Sequence, residues 1–279
     1  MRIDQANGTL QRIGGATVYL NNFTDYSGQN LPNTKWPLWP NVRNLSNFQA
    51  ALLEQHARAL PALQKIRENA DLTSEAKTRQ SREVFNEFAL VVKSGFPSVT
   101  ECAANLATYA QRNLRPVQDI EPTDAASAAL DAECRAYAFK LKPEGRAELV
   151  GDIHQGIEQR IAAAILRGPA RLSGFTRNQL IALGAAGIAA NYPDAVMTLG
   201  KLACSMRDLH YMTQTLGHDV VSAGASTQKD QLSKEVGSWG TTNEGLNALI
   251  EWLKPIPLEL PRKNAPGEVG KARDNVEAD

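Results

Sequence analysis

The four histidines are His56, His154, His210 and His218, and none stands three or four residues from another, the spacing at which a helix presents two metal ligands. Cys102, Cys134 and Cys204 lie far apart and form no C-x-x-C pair, so zinc and dithiol chemistry lack their motif. Their surroundings suit buried free thiols. No phosphate-binding glycine loop, dinucleotide fingerprint or nucleophile elbow occurs. The closest approach to a nucleophilic set is His210 with Asp208 and Cys204, and no further partner completes it. His56 sits on an apolar stripe, as a core histidine would. These residues assign no catalytic, cofactor-binding or metal-binding position, and the chain reads as a non-enzyme without a cofactor.

The arginines offer a different chemistry. Arg160 and Arg167 are seven apart and share a helix face, and Arg171 and Arg177 follow in the adjoining loop. Such a strip could contact phosphate groups. Ordinary salt bridges on a solvated helix explain it as well, and no aromatic residues interleave to stack on bases. The 30 basic and 30 acidic residues balance, so no global field draws the protein to nucleic acid or membrane. DNA contact therefore has no support beyond this local strip. A second candidate is the pair Trp36 and Trp39, each followed by proline in Trp36-Pro37-Leu38-Trp39-Pro40. Proline pushes the preceding residue toward an extended conformation. Two large aromatics on an extended arm can anchor it in a groove, on this chain's own helices or on a neighbouring subunit.

The elements that must position these residues are helices. The pattern predicts a mainly α fold, a multi-helix domain with an αα-hairpin, an extended N-terminal arm and an extended C-terminal tail. Residues 1–45 read as arm, with Thr17–Leu20 as a short strand after a Gly14-Gly15 turn. Residues 46–115 read as a hairpin region. Its first helix starts at Ser46 or Asn47 and carries Leu52, His56, Leu60, Leu63 and Ile66, with a kink or break at Pro61. Its second carries Val84, Phe85, Phe88, Val91 and Val92 and stops near Gly95. Ser98-Val99-Thr100-Glu101 has the form of a capping box opening a third, to about Arg112.

Residues 116–217 read as the central bundle around which the chain is organised. Leu130, Cys134, Tyr137 and Leu141 repeat at helical spacing and predict one buried face. Thr123 suits an N-cap, Pro143 and Pro193 suit first turns, and Gly156, Gly168-Pro169 and Gly217 suit ends. Thr176 and Gln179 make a second capping box. Gly184 and Gly187 provide a small face for a neighbouring helix to approach. Residues 218–260 read as appended helices, ending in an amphipathic one through Leu246, Leu249, Ile250 and Leu253. Residues 261–279 are a polar tail whose composition predicts no structure of its own. The amino terminus lacks the pattern of a signal peptide, and no apolar run reaches the length of a membrane span.

Three segments carry a resemblance: Leu141-Lys142-Pro143-Glu144-Gly145-Arg146-Ala147-Glu148-Leu149, then Ile161-Ala162-Ala163-Ala164-Ile165-Leu166-Arg167-Gly168-Pro169, then Leu172-Ser173-Gly174-Phe175. With the turn Asp71-Leu72-Thr73-Ser74-Glu75-Ala76-Lys77, they resemble helical structural proteins of tailed-phage virion gene clusters over roughly half of the chain. The resemblance consists of helix punctuation and brings no catalytic residues with it. It implies a virion structural protein made in the host cytoplasm, near the head–tail junction or as an internal or minor capsid component. Such a protein acts by contacts with capsid, portal or tail proteins and with copies of itself. The alternative is a scaffold or assembly chaperone that leaves before maturation.

Overall fold

The computed structural model describes residues 8–26, 31, 39–154, 157–170, 173–225, 227–240 and 243–256. The polar tail, Trp36 and Arg171 lie outside the described residues. The chain opens with an antiparallel hairpin of β1 (Gly8–Ile13) and β2 (Ala16–Asn21), in register from Ile13 opposite Ala16 to Gly8 opposite Asn21. Gly14 takes a φ of 62° at the first turn position, which glycine alone adopts cheaply in a two-residue hairpin turn. The expected Thr17–Leu20 strand is thus β2, and β1 is the partner that sequence reading missed. A 3-10 turn, Phe23–Tyr26, follows.

The expectation that residues up to 45 form an arm is corrected at its end. Helix α1 runs Trp39–Glu68, beginning well before Ser46. Pro40 falls in its first turn, where no N–H is needed. Val42, Leu45, Phe48, Leu52, His56, Ala59 and Leu63 form its buried stripe, in steps of three and four.

Helix α2 runs unbroken over Ser74–Asn113, capped by Thr73, whose side chain accepts from the Ala76 N–H. The predicted stop at Gly95 and restart at Ser98 do not occur. The predicted break at Pro61 does not occur either. Both interior prolines lie on exposed helix faces, and so do Ala57 and Lys93, whose carbonyls lose their donors. Water can satisfy those carbonyls, so each helix continues through its proline.

Seven further helices follow among the described residues: α3 (Ala125–Lys140), α4 (Pro143–His154), α5 (Gln159–Arg167), α6 (Arg177–Asn191), α7 (Pro193–Ala223), α8 (Lys229–Ser238) and α9 (Glu244–Leu253). Pro143 and Pro193 begin their helices as expected, and the Thr176–Gln179 capping box has both of its hydrogen bonds. Asp124, not Thr123, caps α3. Gly217 does not end α7. It is buried where Trp239 and Val236 press on the helix, and an added Cβ would lie 2.5 Å from Trp239.

Two hydrophobic cores result. The larger joins the hairpin, α1, α2, α7, α8 and α9. The smaller joins α3, α4, α5 and α6. Residues 116–217 are therefore divided, because α7 packs with α1, α2 and β2. Helix α6 bridges the two, giving Leu183 and Ala186 to the smaller core and Ala185 to the larger. What approaches its glycines is the connector, not a helix. An added Cβ on Gly187 would lie 2.6 Å from the Pro116 carbonyl oxygen, which accepts from Asn191 at 3.0 Å.

Candidate functional site

The arginine strip turns inward. Asp131 of α3 is 2% exposed, and α5 brings two guanidinium groups onto it. Arg167 donates from Nε to Oδ2 at 2.6 Å and from Nη2 to Oδ1 at 2.9 Å, a bidentate grip. Arg160 stands 2.8 Å from Oδ1, and Arg135, one turn along α3, stands 3.9 Å from Oδ2. Each arginine also donates to a carbonyl: Arg167 to Gln118, Arg160 to Ser127 and Arg135 to Ala164. The hydrogen bond from Arg167 holds the Asp131 carboxyl below its ordinary range, against the opposing effect of burial. The cluster clasps α3, α5 and the connector together. Arg160 and Arg167 are engaged with Asp131, and Arg177 lies apart, exposed in the first turn of α6. The described residues do not bring the predicted strip together as a phosphate-facing surface.

A second buried polar group holds the hairpin. His56 of α1, 1% exposed, meets Asp219 of α7 with Nε2 2.8 Å from Oδ2. The same oxygen accepts from the Gly15 N–H at 3.3 Å. A Cβ on Gly14 would lie 2.9 Å from Asp219 and 2.6 Å from Leu60, so the turn must be glycine to dock there. At the other end of β2 the Gln49 side chain donates to the Asn21 carbonyl and accepts from its N–H, both at 3.0 Å. It replaces a missing strand. Asn21 also donates to the Ser205 carbonyl at 3.2 Å. The His–carboxylate pair thus positions a backbone turn.

Asp208, His210 and Cys204 do not converge. Cys204 and Asp208 are one turn apart on α7, while His210 leaves its opposite side. There His210 packs edge-on against Phe96, ring centroids 5.8 Å apart, and burial lowers its pKa. Burial also pushes the Asp208 carboxyl up to about 6. Two cavities of about 220 Å³ lie elsewhere. One is lined by Pro116, Gln118, Gln159, Leu166, Gly187 and Asn191, the other by Asn44, Phe48, Val91 and Gly95 among others. Neither includes Asp208 or His210. No group of three or more metal-binding side chains is assembled among the described residues.

Sequence reading missed the surface of the smaller unit. Leu130 and Tyr137, expected in a buried face, are 46% and 55% exposed. Asp131 and Ala138 take the buried side instead. Phe139, Ile157 and Ile181 are exposed as well. Trp39 belongs to the first turn of α1, and its side chain lies outside the described residues. No single helix among the described residues is long and apolar enough to cross a membrane. Helices α6 and α7 pass that test only jointly, across a 104° bend. Comparison with protein-family models, with curated proteins and with solved structures finds no match.

Proposed function

We propose that this chain is a phage virion structural protein, at the head–tail junction or inside the particle, working through contacts with other virion proteins and with copies of itself. One observation supports the contact reading, the disproportion between core and surface in the unit of α3, α4, α5 and α6. Among the described residues its core holds eight buried residues, three of them alanine. Five large apolar side chains of the same unit, Leu130, Tyr137, Phe139, Ile157 and Ile181, stand in solvent. Exposed apolar groups beside so small a core suit a unit over which another protein surface is laid. The helix punctuation that resembles tailed-phage structural proteins supplies the setting, and synthesis in the host cytoplasm follows from it.

Mass spectrometry of purified procapsids and mature particles tests this reading. The chain is expected in both, at a fixed copy number. Presence in procapsids alone assigns it to the scaffold or chaperone class. Absence from both rejects a virion role.

A further inference from the structure

Helix α3 is exposed around most of its circumference, and the stripe opposite Asp131 and Ala138 carries Ala129, Leu130, Glu133, Ala136, Tyr137 and Lys140 at helical spacing. The other side of the helix packs on α5 through Asp131 and Ala138. Two properties of the stripe say what fits it. Ala129 and Ala136 keep it low, so another helix can approach to the near end of the usual 8–10 Å axis separation. Its charges are one acid and one base, Glu133 and Lys140, two turns apart. Among the described residues neither is engaged in an ion pair of its own chain.

A second α3 crossing antiparallel at Ala136 sets Glu133 against the partner's Lys140, and Lys140 against the partner's Glu133. A parallel crossing sets like charge against like. A patch that carries its own complement under a two-fold axis suits an isologous contact. We infer that α3 is an antiparallel self-association site, through which two copies of this chain pair across Ala136 and Tyr137. This rests on the contact reading proposed above and names its partner. The stripe covers about 17 Å of helix axis. Such a contact falls short of a standard interface of roughly 1,600 Å². The pairing is therefore concentration-dependent, and other subunit contacts reinforce it in an assembly.

Sedimentation velocity of the full chain over a concentration series tests it. The wild type shifts from monomer to dimer as concentration rises. Glu133→Lys and Lys140→Glu each place like charges across the two-fold axis twice and return the protein to monomer. The double reversal restores the dimer. Both positions are exposed, so circular dichroism stays helical in all three variants. A wild type that stays monomeric throughout overturns the inference, as does a dimer that ignores the single reversals or a double reversal that fails to restore it. If the monomeric wild type still enters particles and Tyr137→Glu does not, self-pairing fails while the contact reading stands, and the face belongs to a different virion protein.

Discussion

Gly95 of α2 passes directly beneath the ring of Phe48 of α1, so close that an added Cβ would stand 2.0 Å from Phe48 Cδ2. Phe48 is buried and in edge contact with Phe96, ring centroids 6.3 Å apart, so its ring can yield only toward the cavity between Asn44 and Val91, giving up that contact. Gly95→Ala gains roughly 1 kcal/mol of helix propensity. It loses more to displacing the ring, since overpacking costs about 1–3 kcal/mol. The variant is expected to unfold at lower urea than the wild type. Greater stability would mean that α1 and α2 are not held at this crossing.

Asp131→Asn keeps the shape of the side chain and removes the charge that three guanidinium groups share. Breaking a buried pair costs about 3–5 kcal/mol, and the low end applies because Arg135 and Arg160 are partly exposed. Because its pKa is lowered in the fold, the carboxylate stabilises at pH above its unfolded value of about 4, and that contribution is lost as pH falls through the lower folded value. The gap between wild type and variant in urea unfolding should be full at neutral pH and close below about pH 4. A gap unchanged at low pH would mean that Asp131 acts by shape alone.

Asp208 has the opposite sign. Burial raises its carboxyl to about 6, so the folded state holds a proton that the unfolded chain has released. Its contribution is fully present below the unfolded value and disappears as pH rises through about 6. Asp208→Asn is expected to stabilise the protein at neutral pH, on the order of 2 kcal/mol after allowing for residual exposure. By about pH 4 the two proteins should be alike. Thermal melts across that range measure the crossover, and destabilisation at neutral pH would contradict it.

The sequence showed most of what is local. Helical class, the Thr176–Gln179 capping box, and the starts at Pro143 and Pro193 follow from residues within a turn of one another. It misled where a distant partner decides. Gly95 and the Ser98–Glu101 capping box read as a boundary, but Phe48 packs on the glycine and the helix runs on through Pro97, which faces water. Leu130 and Tyr137 read as core because they are apolar, yet Asp131 is buried, since its counter-charges arrive from α5. The seven-residue spacing of Arg160 and Arg167 was the available signal, read as phosphate contact or as salt bridges on a solvated face, and both arginines meet one buried acid instead. The β1 strand was invisible because Gly8–Ile13 lacks a strong pattern without its partner.

Hydroxyl-radical footprinting reads whether the unit of α3, α4, α5 and α6 is a contact surface in the particle. Leu130, Tyr137 and Phe139 are exposed in the free chain, as is Tyr211 in the larger core's α7. Oxidation of each is measured in the free protein and in purified particles. Leu130, Tyr137 and Phe139 are expected to become protected in the particle while the fold remains helical. Oxidation of all three at the free-chain rate inside the particle would contradict it.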